Sequence, residues 1–581
     1  MLWRVTWPYL RAHWHQVAAV IILQVASTIC ALFLPDLNAS IIDEGVVTGD
    51  VNRVWVLGAV MLAVSAAQGI TAGFAVYLAA LVAMGLGADL RSKVFTRVQE
   101  FSSREVHDLG APSLITRSTN DVQQIQMVIL MIFNFMIAAP IMGVGGIVMT
   151  LRMNAQLASL LIVLVPLITI VITIAFIILN PLFRSQQDRL DRMNTVLREE
   201  LSGIRVIRAF VRQDEFGNRY TGANDSLKTV ALRIGAVFAV MFPLLQLIFS
   251  MATIGVVWFG GHLVDSGSME IGALLAFISY FAMIFGATMT SSMLFFMLPR
   301  ATVTSRRINE VLSTNPSVAN PAPAALVPFP TERPTFAFDN VEVQYPGAEE
   351  PVLQGVDATL LPGTVTAVIG STGSGKSTFA NLLPRLMDPS AGAITVNGTD
   401  VRNFDPDTLR SHIGFVPQSA YLFSGTIAST VSGVDDPSPE QRARVERVLE
   451  GAQATEFVSL LEDGLDTRVD PGGRNFSGGQ RQRLTMARAL YKGADLYVFD
   501  DSFSALDYAT DAAIRNNLTT YVGGAAVLIV AQRIATIRHA DQILVLDHGE
   551  IVARGPHDQL VRTSDTYRQI VQSQMALEEG E

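Results

Sequence analysis

Six uncharged, apolar stretches in the first half of the chain constrain its fold more than any other feature. Each stretch can cross the hydrocarbon core of a bilayer as an α-helix, which takes about 20 residues. The chain is 50% hydrophobic and only 16% charged, which is too apolar for a wholly soluble protein. We therefore expect six membrane-spanning helices, near residues 16–35, 54–86, 127–150, 156–180, 236–263 and 270–297.

Basic residues are concentrated in two of the connections between these stretches. The connections 87–125 and 181–235 are rich in Arg and Lys, whereas 36–53, 151–155 and 264–269 are short and hold only two basic residues between them. Because Lys and Arg are retained on the cytoplasmic side, we expect a multi-pass protein of the cell membrane with both chain ends in the cytoplasm. The two long connections have a helical apolar period, so they are predicted to be helices that extend beyond the bilayer.

The first fourteen residues have the composition of a helix that lies at the membrane interface. Trp3, Trp7 and Trp14 alternate with Arg4 and Arg11 over this segment. A cleavable signal peptide is the alternative, but the apolar run that follows is long and lacks a small-residue cleavage site.

A proline-rich segment, residues 311–334, separates the apolar half from a half of ordinary soluble composition. We therefore predict a transmembrane domain at 1–310, a linker at 311–334 and a soluble domain at 335–581. The net charge of -10 argues against nucleic acid as a partner. The single cysteine, Cys30, excludes a disulfide within the chain.

The most specific motif in the chain is Gly370-Ser-Thr-Gly-Ser-Gly-Lys376-Ser377, which follows a strand-like run and precedes a helix-like one. This is the setting of a P-loop, in which backbone N–H groups at a helix N-terminus bind phosphate. Lys376 neutralises the terminal phosphates, and the Ser377 hydroxyl and Asp500, which ends a second apolar strand, hold Mg2+. The predicted cofactors are ATP and Mg2+, and the residues expected to contact ATP here are Gly370, Ser371, Thr372, Gly373, Ser374, Gly375, Lys376, Ser377 and Thr378.

Between these two motifs, the segment Asn475-Phe-Ser-Gly-Gly-Gln480-Arg-Gln-Arg is similar to the signature motif of the ABC transporter family. The resemblance continues along residues 335–575, with Tyr345 at the adenine-stacking position, Gln418 at the Q-loop as a further Mg2+ ligand, and Asp507 at the D-loop. The membrane half resembles the six-helix exporter type. The resemblance implies a multi-domain fold, an all-α six-helix transmembrane domain followed by an α/β P-loop ABC ATPase domain.

The resemblance also implies that two ATPase domains pair head to tail. Each ATP then lies between the P-loop of one chain and the signature motif of the other, here Ser477, Gly478, Gly479 and Gln480. One chain alone completes no site. A second chain and the lipid bilayer are thus the expected partners.

Two positions depart from the family pattern at the step of hydrolysis. Asp501 stands where the family has the glutamate that acts as general base, and Gln532 stands where it has the switch histidine. The sequence therefore predicts an ATPase whose own site, formed by Asp501, Gln532 and Gln418, hydrolyses ATP poorly, and a heterodimer with a non-identical chain. A homodimer is the alternative. The binding residues are retained: Tyr345, Lys376, Ser377, Gln418 and Asp500.

The cargo implied by the resemblance is hydrophobic or amphipathic, drug-like or lipid-like, and moves outward. An importer built on the exporter fold and an ATP-gated channel or regulator remain alternatives. A few polar residues within the spans either line a cavity or pack helices together, and these are Gln24, Gln68, Asn134, Gln246 and Ser291.

Overall fold

The computed structural model describes residues 1–318 and 326–578, which group into two compact units. One unit comprises residues 1–99 and 111–314, and the other comprises residues 100–110 with the chain from Asn315 onward. Part of the expected linker, residues 319–325, lies outside the described residues.

The first unit consists of long helices. Six helical segments among the described residues are long and apolar enough to cross a membrane, which confirms the expected number. The third of these is interrupted by two π-helical stretches, Arg117–Asp121 and Ile132–Met136. The helices are α1 (Leu2–Ala12), α2 (Trp14–Ser40), α3 (Val51–Gln99), α5 (Ala111–Thr116), α6 (Val122–Met131), α7 (Ala138–Met153), α8 (Ala155–Ala209), α9 (Gln213–Asp265) and α10 (Ile271–Ser313).

The second long connection is helical, as expected, because α8 and α9 continue through it with a break only at Phe210–Arg212. The first connection is less regular. Here α3 ends at Gln99, and a separate short helix, α4 (Ser103–Leu109), precedes α5. Ser102 and Glu105 form a capping box at its start, and Gly110 ends it with a φ of 75°.

Side chains between helices tie the first unit together. The Tyr280 hydroxyl of α10 donates to the Leu32 carbonyl of α2 at 2.7 Å. Gln24 donates to the Asn134 carbonyl at 3.0 Å, so this span residue makes a helix–helix hydrogen bond.

The part of the second unit from Phe336 onward is an α/β domain with a six-stranded sheet in the order β12-β11-β3-β10-β9-β6. All neighbours in this sheet are parallel except β11 and β12. A four-stranded sheet has the order β2-β1-β4-β5, and β7 pairs with β8. The strands are β1 (Phe336–Val343), β2 (Leu353–Leu360), β3 (Val365–Gly370), β4 (Ala391–Val396), β5 (Thr399–Asp400), β6 (Ile413–Val416), β7 (Gly425–Thr426), β8 (Arg468–Val469), β9 (Leu496–Asp500), β10 (Ala526–Val530), β11 (Gln542–Asp547) and β12 (Glu550–Gly555).

Helices follow most of these strands and cover the sheet. Their bounds are α11 (Lys376–Leu382), α12 (Pro406–Ser411), α13 (Ile427–Ser432), α14 (Pro439–Gly451), α15 (Thr455–Ser459), α16 (Gly478–Lys492), α17 (Tyr508–Val522), α18 (Ile534–Ile537), α19 (His557–Thr563) and α20 (Asp565–Glu578). The arrangement confirms the expected fold class.

The central strands position the site. Every residue of β9 and β10 is buried, as expected for parallel strands covered on both faces. Because β3, β10 and β9 are adjacent and parallel, their carboxyl ends meet at one edge of the sheet. Gly370, Asp500 and Val530 end these three strands, so the segments that follow them converge there.

Candidate nucleotide site

The P-loop joins the end of β3 to the start of α11. Gly373 and Gly375 have φ values of 87° and 98°, which favour glycine. A Cβ at Gly375 would also lie 2.7 Å from the Val352 carbonyl oxygen. The loop therefore needs glycine for its conformation, and it leads into a helix N-terminus of the kind that binds phosphate.

Lys376 is buried under this loop. Its Nζ donates to the carbonyl oxygens of Gly370 and Ser371, at 2.9 and 2.7 Å. Burial lowers the pKa of Lys376, and the negative charges of Asp501 and Asp500 oppose that shift. A buried ammonium whose hydrogen bonds go to neutral carbonyl oxygens suits a polyanion such as the phosphates of ATP.

The hydroxyl of Ser377 donates to Oδ1 of Asp500 at 3.1 Å. Burial raises the pKa of Asp500, and the bond from Ser377 opposes this shift. A hydroxyl and a carboxylate in contact beside a P-loop form the oxygen donor set that Mg2+ prefers. When bound, the ion would neutralise charge on the terminal phosphates.

Two side-chain amides donate hydrogen bonds to Asp501. Its Oδ2 accepts from Nε2 of Gln418 at 3.1 Å and from Nε2 of Gln532 at 2.8 Å. The residue has a φ of 46°, and its backbone N–H donates to the Val530 carbonyl of β10. Burial raises the pKa of Asp501, opposed by the Gln418 bond and by Lys376. The fold thus brings together the three residues that we assigned to hydrolysis.

Tyr345 lies at the entrance to α11. Its hydroxyl is 3.2 Å from Oγ1 of Thr378, and 42% of the residue is exposed. An exposed aromatic face next to the phosphate loop can stack on a nucleobase, and adenine stacking by Tyr345 stays a prediction.

The signature residues begin helix α16. Ser477 caps the helix, accepting from the Gln480 N–H at 3.3 Å, while Gln480 Oε1 accepts from the Ser477 N–H at 2.9 Å. Gly479 packs against the D-loop, the segment from Ser504 to Asp507, because a Cβ there would lie 3.3 Å from the Ala505 carbonyl oxygen. Phe476, where leucine is commoner, is 6% exposed and meets Phe457 edge to face, so the core accommodates it.

The signature and D-loop residues do not join the P-loop side of the site. Among the described residues, no hydrogen bond or ion pair joins the P-loop to the signature residues 477–480 or to Asp507. Asp507 instead caps α17 through Thr510. The predicted residues therefore form two separate groups within the chain.

One residue near the site was not predicted from the sequence. Gln574 of α20 donates to the Gln532 carbonyl at 2.6 Å and accepts from the Ile534 N–H at 2.8 Å. A lone glutamine on a C-terminal helix matches no motif, so no signal in the sequence marks it.

Comparison with known proteins places the chain in a family. Residues 17–288 match the family described as ABC transporter transmembrane region, and residues 353–504 match the one described as ABC transporter. An uncharacterized ABC transporter ATP-binding protein of Mycobacterium tuberculosis is 44% identical over 97% of both chains. An ATP-dependent lipid A-core flippase of Thiobacillus denitrificans is 28% identical, over 97% of this chain and 96% of its own.

A solved structure has the same fold. A bacterial Atm1-family ABC exporter with ATP bound superimposes with a TM-score of 0.80 at 23% sequence identity, covering 96% of this chain and 99% of the other. With six spanning helices, a P-loop and a signature helix in this order, the chain belongs to the ABC transporter family and has the fold of its exporters.

Proposed function

We propose that this chain is one subunit of a heterodimeric ABC exporter. Its P-loop binds ATP and Mg2+ at a site that hydrolyses slowly, and its signature motif completes the active site of a non-identical partner chain. The observation that carries this proposal is the pair of amides, Gln418 and Gln532, that share one carboxylate oxygen of Asp501.

Nucleotide binding is supported by the retained residues around the P-loop. Tyr345 offers a stacking face, Lys376 offers a charge to the terminal phosphates, and Ser377, Gln418 and Asp500 offer oxygen ligands to Mg2+. Ser377 contacts Asp500, Gln418 contacts Asp501 and Tyr345 contacts Thr378, so these side chains gather around the segments that follow β3 and β9.

Slow hydrolysis follows from the state of the general base. A base must reach the attacking water with a free lone pair at about 2.6–3.2 Å. Aspartate is one methylene shorter than glutamate, and two donors already occupy Oδ2 of Asp501, so among the described residues only Oδ1 is left without a donor to accept a proton from water. Gln532 carries no charge at any pH, so it cannot offer the positive charge of a protonated histidine to the γ-phosphate.

A partner chain is supported by Gly478. Its φ is not in the left-handed region, and a Cβ there would meet nothing within 4 Å in this chain. Neither backbone strain nor packing within the chain therefore explains glycine at this position. Close approach of a nucleotide phosphate from outside the chain would explain it, and the backbone N–H groups of α16 face such a ligand. Because the signature residues are intact while Asp501 and Gln532 are changed, the partner is expected to differ from this chain.

The cargo is proposed to be hydrophobic or amphipathic and to move outward, with the ATPase domain in the cytoplasm. The exporter fold and the relative named as a lipid A-core flippase support this direction and class. The basic connections 87–125 and 181–235 support the orientation.

The test is purification of the tagged full-length chain in a mild detergent from its native host. A second, different ABC chain of similar mass in near-equal amount is expected. Recovery of the tagged chain alone, with fast ATP hydrolysis, would contradict both the heterodimer and the impaired site.

ATP-dependent uptake of a fluorescent phospholipid by inside-out vesicles then separates an exporter from a channel or regulator. The Lys376→Ala variant serves as the control for nucleotide binding at this chain's site.

A further inference from the structure

The segment that carries Gln532 leaves the sheet and has little support of its own. Ala531 is still held by the sheet, since its N–H donates to the Val368 carbonyl at 3.1 Å. Helix α18 then begins at Ile534, and its N-cap residue, Arg533, makes no side-chain capping bond. The first N–H groups of a helix need a partner from elsewhere.

Gln574 provides that partner from α20. Its side-chain Oε1 accepts from the Ile534 N–H at 2.8 Å, and its side-chain Nε2 donates to the backbone carbonyl of Gln532 at 2.6 Å. One side chain thus bonds the backbone on both sides of Arg533. Both bonds are made to backbone atoms, so they do not depend on which side chain stands at position 532.

Helix α20 is anchored independently of Gln574. Tyr567 is fully buried, and its hydroxyl is 2.8 Å from Nδ1 of His557. Ile570 and Val571 pack against the core that also contains Ile534. The helix is therefore a fixed support from which the Gln574 side chain extends.

The side chains of the supported segment reach two parts of the site. Gln532 donates to Asp501 at 2.8 Å. The Arg533 guanidinium lies over the Tyr508 ring at 5.3 Å and donates to the Ser504 carbonyl at 3.4 Å. A shift of this backbone would therefore move a group at the hydrolytic carboxylate and a group at the D-loop together.

We propose that Gln574 is a positioning residue for the hydrolytic site: through it, the C-terminal helix fixes the backbone at residues 532–534 and sets the reach of the side chain at position 532. The inference rests on the proposed function in that it takes positions 501 and 532 as the hydrolytic pair. It adds a role for α20, which no sequence motif indicates.

The test uses the full-length chain in its native assembly, with Asp501→Glu and Gln532→His introduced together to restore turnover at this site, and with Gly478→Ala so that turnover at the partner's site does not mask it. Adding Gln574→Leu is expected to lower kcat for ATP by about threefold to tenfold, the effect of losing one or two hydrogen bonds. KM for ATP should stay within about twofold, because among the described residues Gln574 makes no hydrogen bond to the P-loop. Gln572→Leu, at an exposed position on the same helix, is the matched control.

Hydrogen exchange gives a readout that does not depend on activity. The peptide covering 531–537 should exchange faster in Gln574→Leu than in Gln572→Leu, because the Ile534 N–H loses its acceptor. The inference is overturned if the two variants match in kcat or in exchange of this peptide. It is also overturned if KM changes by the same factor as kcat and the unfolding temperature falls as well, because the substitution then acts through a general loss of structure. If the restored pair is no faster than Gly478→Ala alone, the impaired-site proposal fails instead, and the same comparison is made with Asp501 and Gln532 in place.

Discussion

The side-chain amide of Gln532 donates a hydrogen bond to Oδ2 of Asp501, with 2.8 Å between the two heavy atoms. Gln418 donates to the same oxygen at 3.1 Å. The two residues that depart from the family pattern are thus bonded to each other. A change at one of them alters the surroundings of the other, so their effects on hydrolysis should not be additive.

Restoring the family residues at both positions should raise ATP turnover. We expect Asp501→Glu with Gln532→His to increase turnover at this chain's own site by about tenfold or more, since a well-placed general base contributes about a hundredfold or more. Because the partner's site dominates total turnover in the proposed heterodimer, the comparison is made in a Gly478→Ala background, in which the signature motif no longer serves the partner's site. Each single change should increase turnover by less than it does when both are made, because the unchanged residue of the pair still constrains the carboxylate. Steady-state ATP hydrolysis by the four combinations measures the coupling.

Asp501→Ala is the companion variant. If hydrolysis takes place mainly at the partner's P-loop, this variant should keep more than about half of the native turnover. Loss of nearly all turnover would show that Asp501 belongs to the working site.

Gly478→Ala separates folding from function at the signature motif. Its added methyl group meets nothing within 4 Å in this chain, and alanine favours a helix more than glycine does. We therefore expect an unchanged or slightly higher unfolding temperature and a loss of turnover of about tenfold or more, because the methyl group obstructs a phosphate bound from outside. Gly217→Ala, at an open position on α9, is the control and should leave turnover unchanged. Native turnover in Gly478→Ala would contradict the assigned role.

The nucleotide motifs were predictable because their information is local. Gly370 to Ser377 form a continuous loop. The three-residue spacing of Ser477 and Gln480 is itself enough to predict a capping box. The family resemblance assigned Asp501 and Gln532 to one site, but the hydrogen bond between them was not predictable, since it depends on the pairing of β9 with β10 and joins residues 31 positions apart. Gln574 required the packing of α20, which has no sequence signature.

The membrane half shows the same division between local and non-local information. Apolar length alone predicted six spans, but it gave no sign of the π-helical stretches at 117–121 and 132–136. The start of α4 could have been found, because Ser102 and Glu105 have the spacing of a capping box and Gly110 follows. Hydropathy does not report hydrogen bonds between turns of a helix, so the interruptions of the third span needed the structure.

Asp43 should stabilise the start of the last spanning helix. Its two carboxylate oxygens accept from the N–H groups of Gly272 and Ala273, at 2.6 and 3.1 Å, across 229 residues of chain. Removing a helix-capping side chain costs about 0.5–2 kcal/mol. Asp43→Ala should therefore lower the unfolding temperature in detergent, and Asp43→Asn should lower it less because the amide oxygen can still accept. Asp265→Ala, at the exposed last residue of α9, is the control.

Gly272→Ala tests the same contact from the other side. A Cβ at this position would lie 2.4 Å from the Ala39 carbonyl oxygen and 2.5 Å from Oδ2 of Asp43. We expect destabilisation of about 1–3 kcal/mol from this overlap. An unfolding temperature equal to that of the native chain would mean that α10 does not approach Ala39 and Asp43 so closely.

His557 should make the stability of the ATPase domain depend on pH. Burial lowers the pKa of His557, and the nearby positive charge of Arg538 adds to that shift. The folded state therefore favours the neutral ring, whose Nδ1 is 2.8 Å from the Tyr567 hydroxyl. Since the folded pKa lies below the unfolded value of about 6.5, this contribution is complete above pH ~6.5 and is lost as the pH falls through the folded pKa.

Unfolding temperatures between pH 7.5 and 5 should fall less steeply in His557→Gln than in His548→Gln, whose native side chain is 97% exposed. Equal slopes in the two variants would mean that protonation of His557 does not oppose folding, and that the support of α20 through Tyr567 is insensitive to pH.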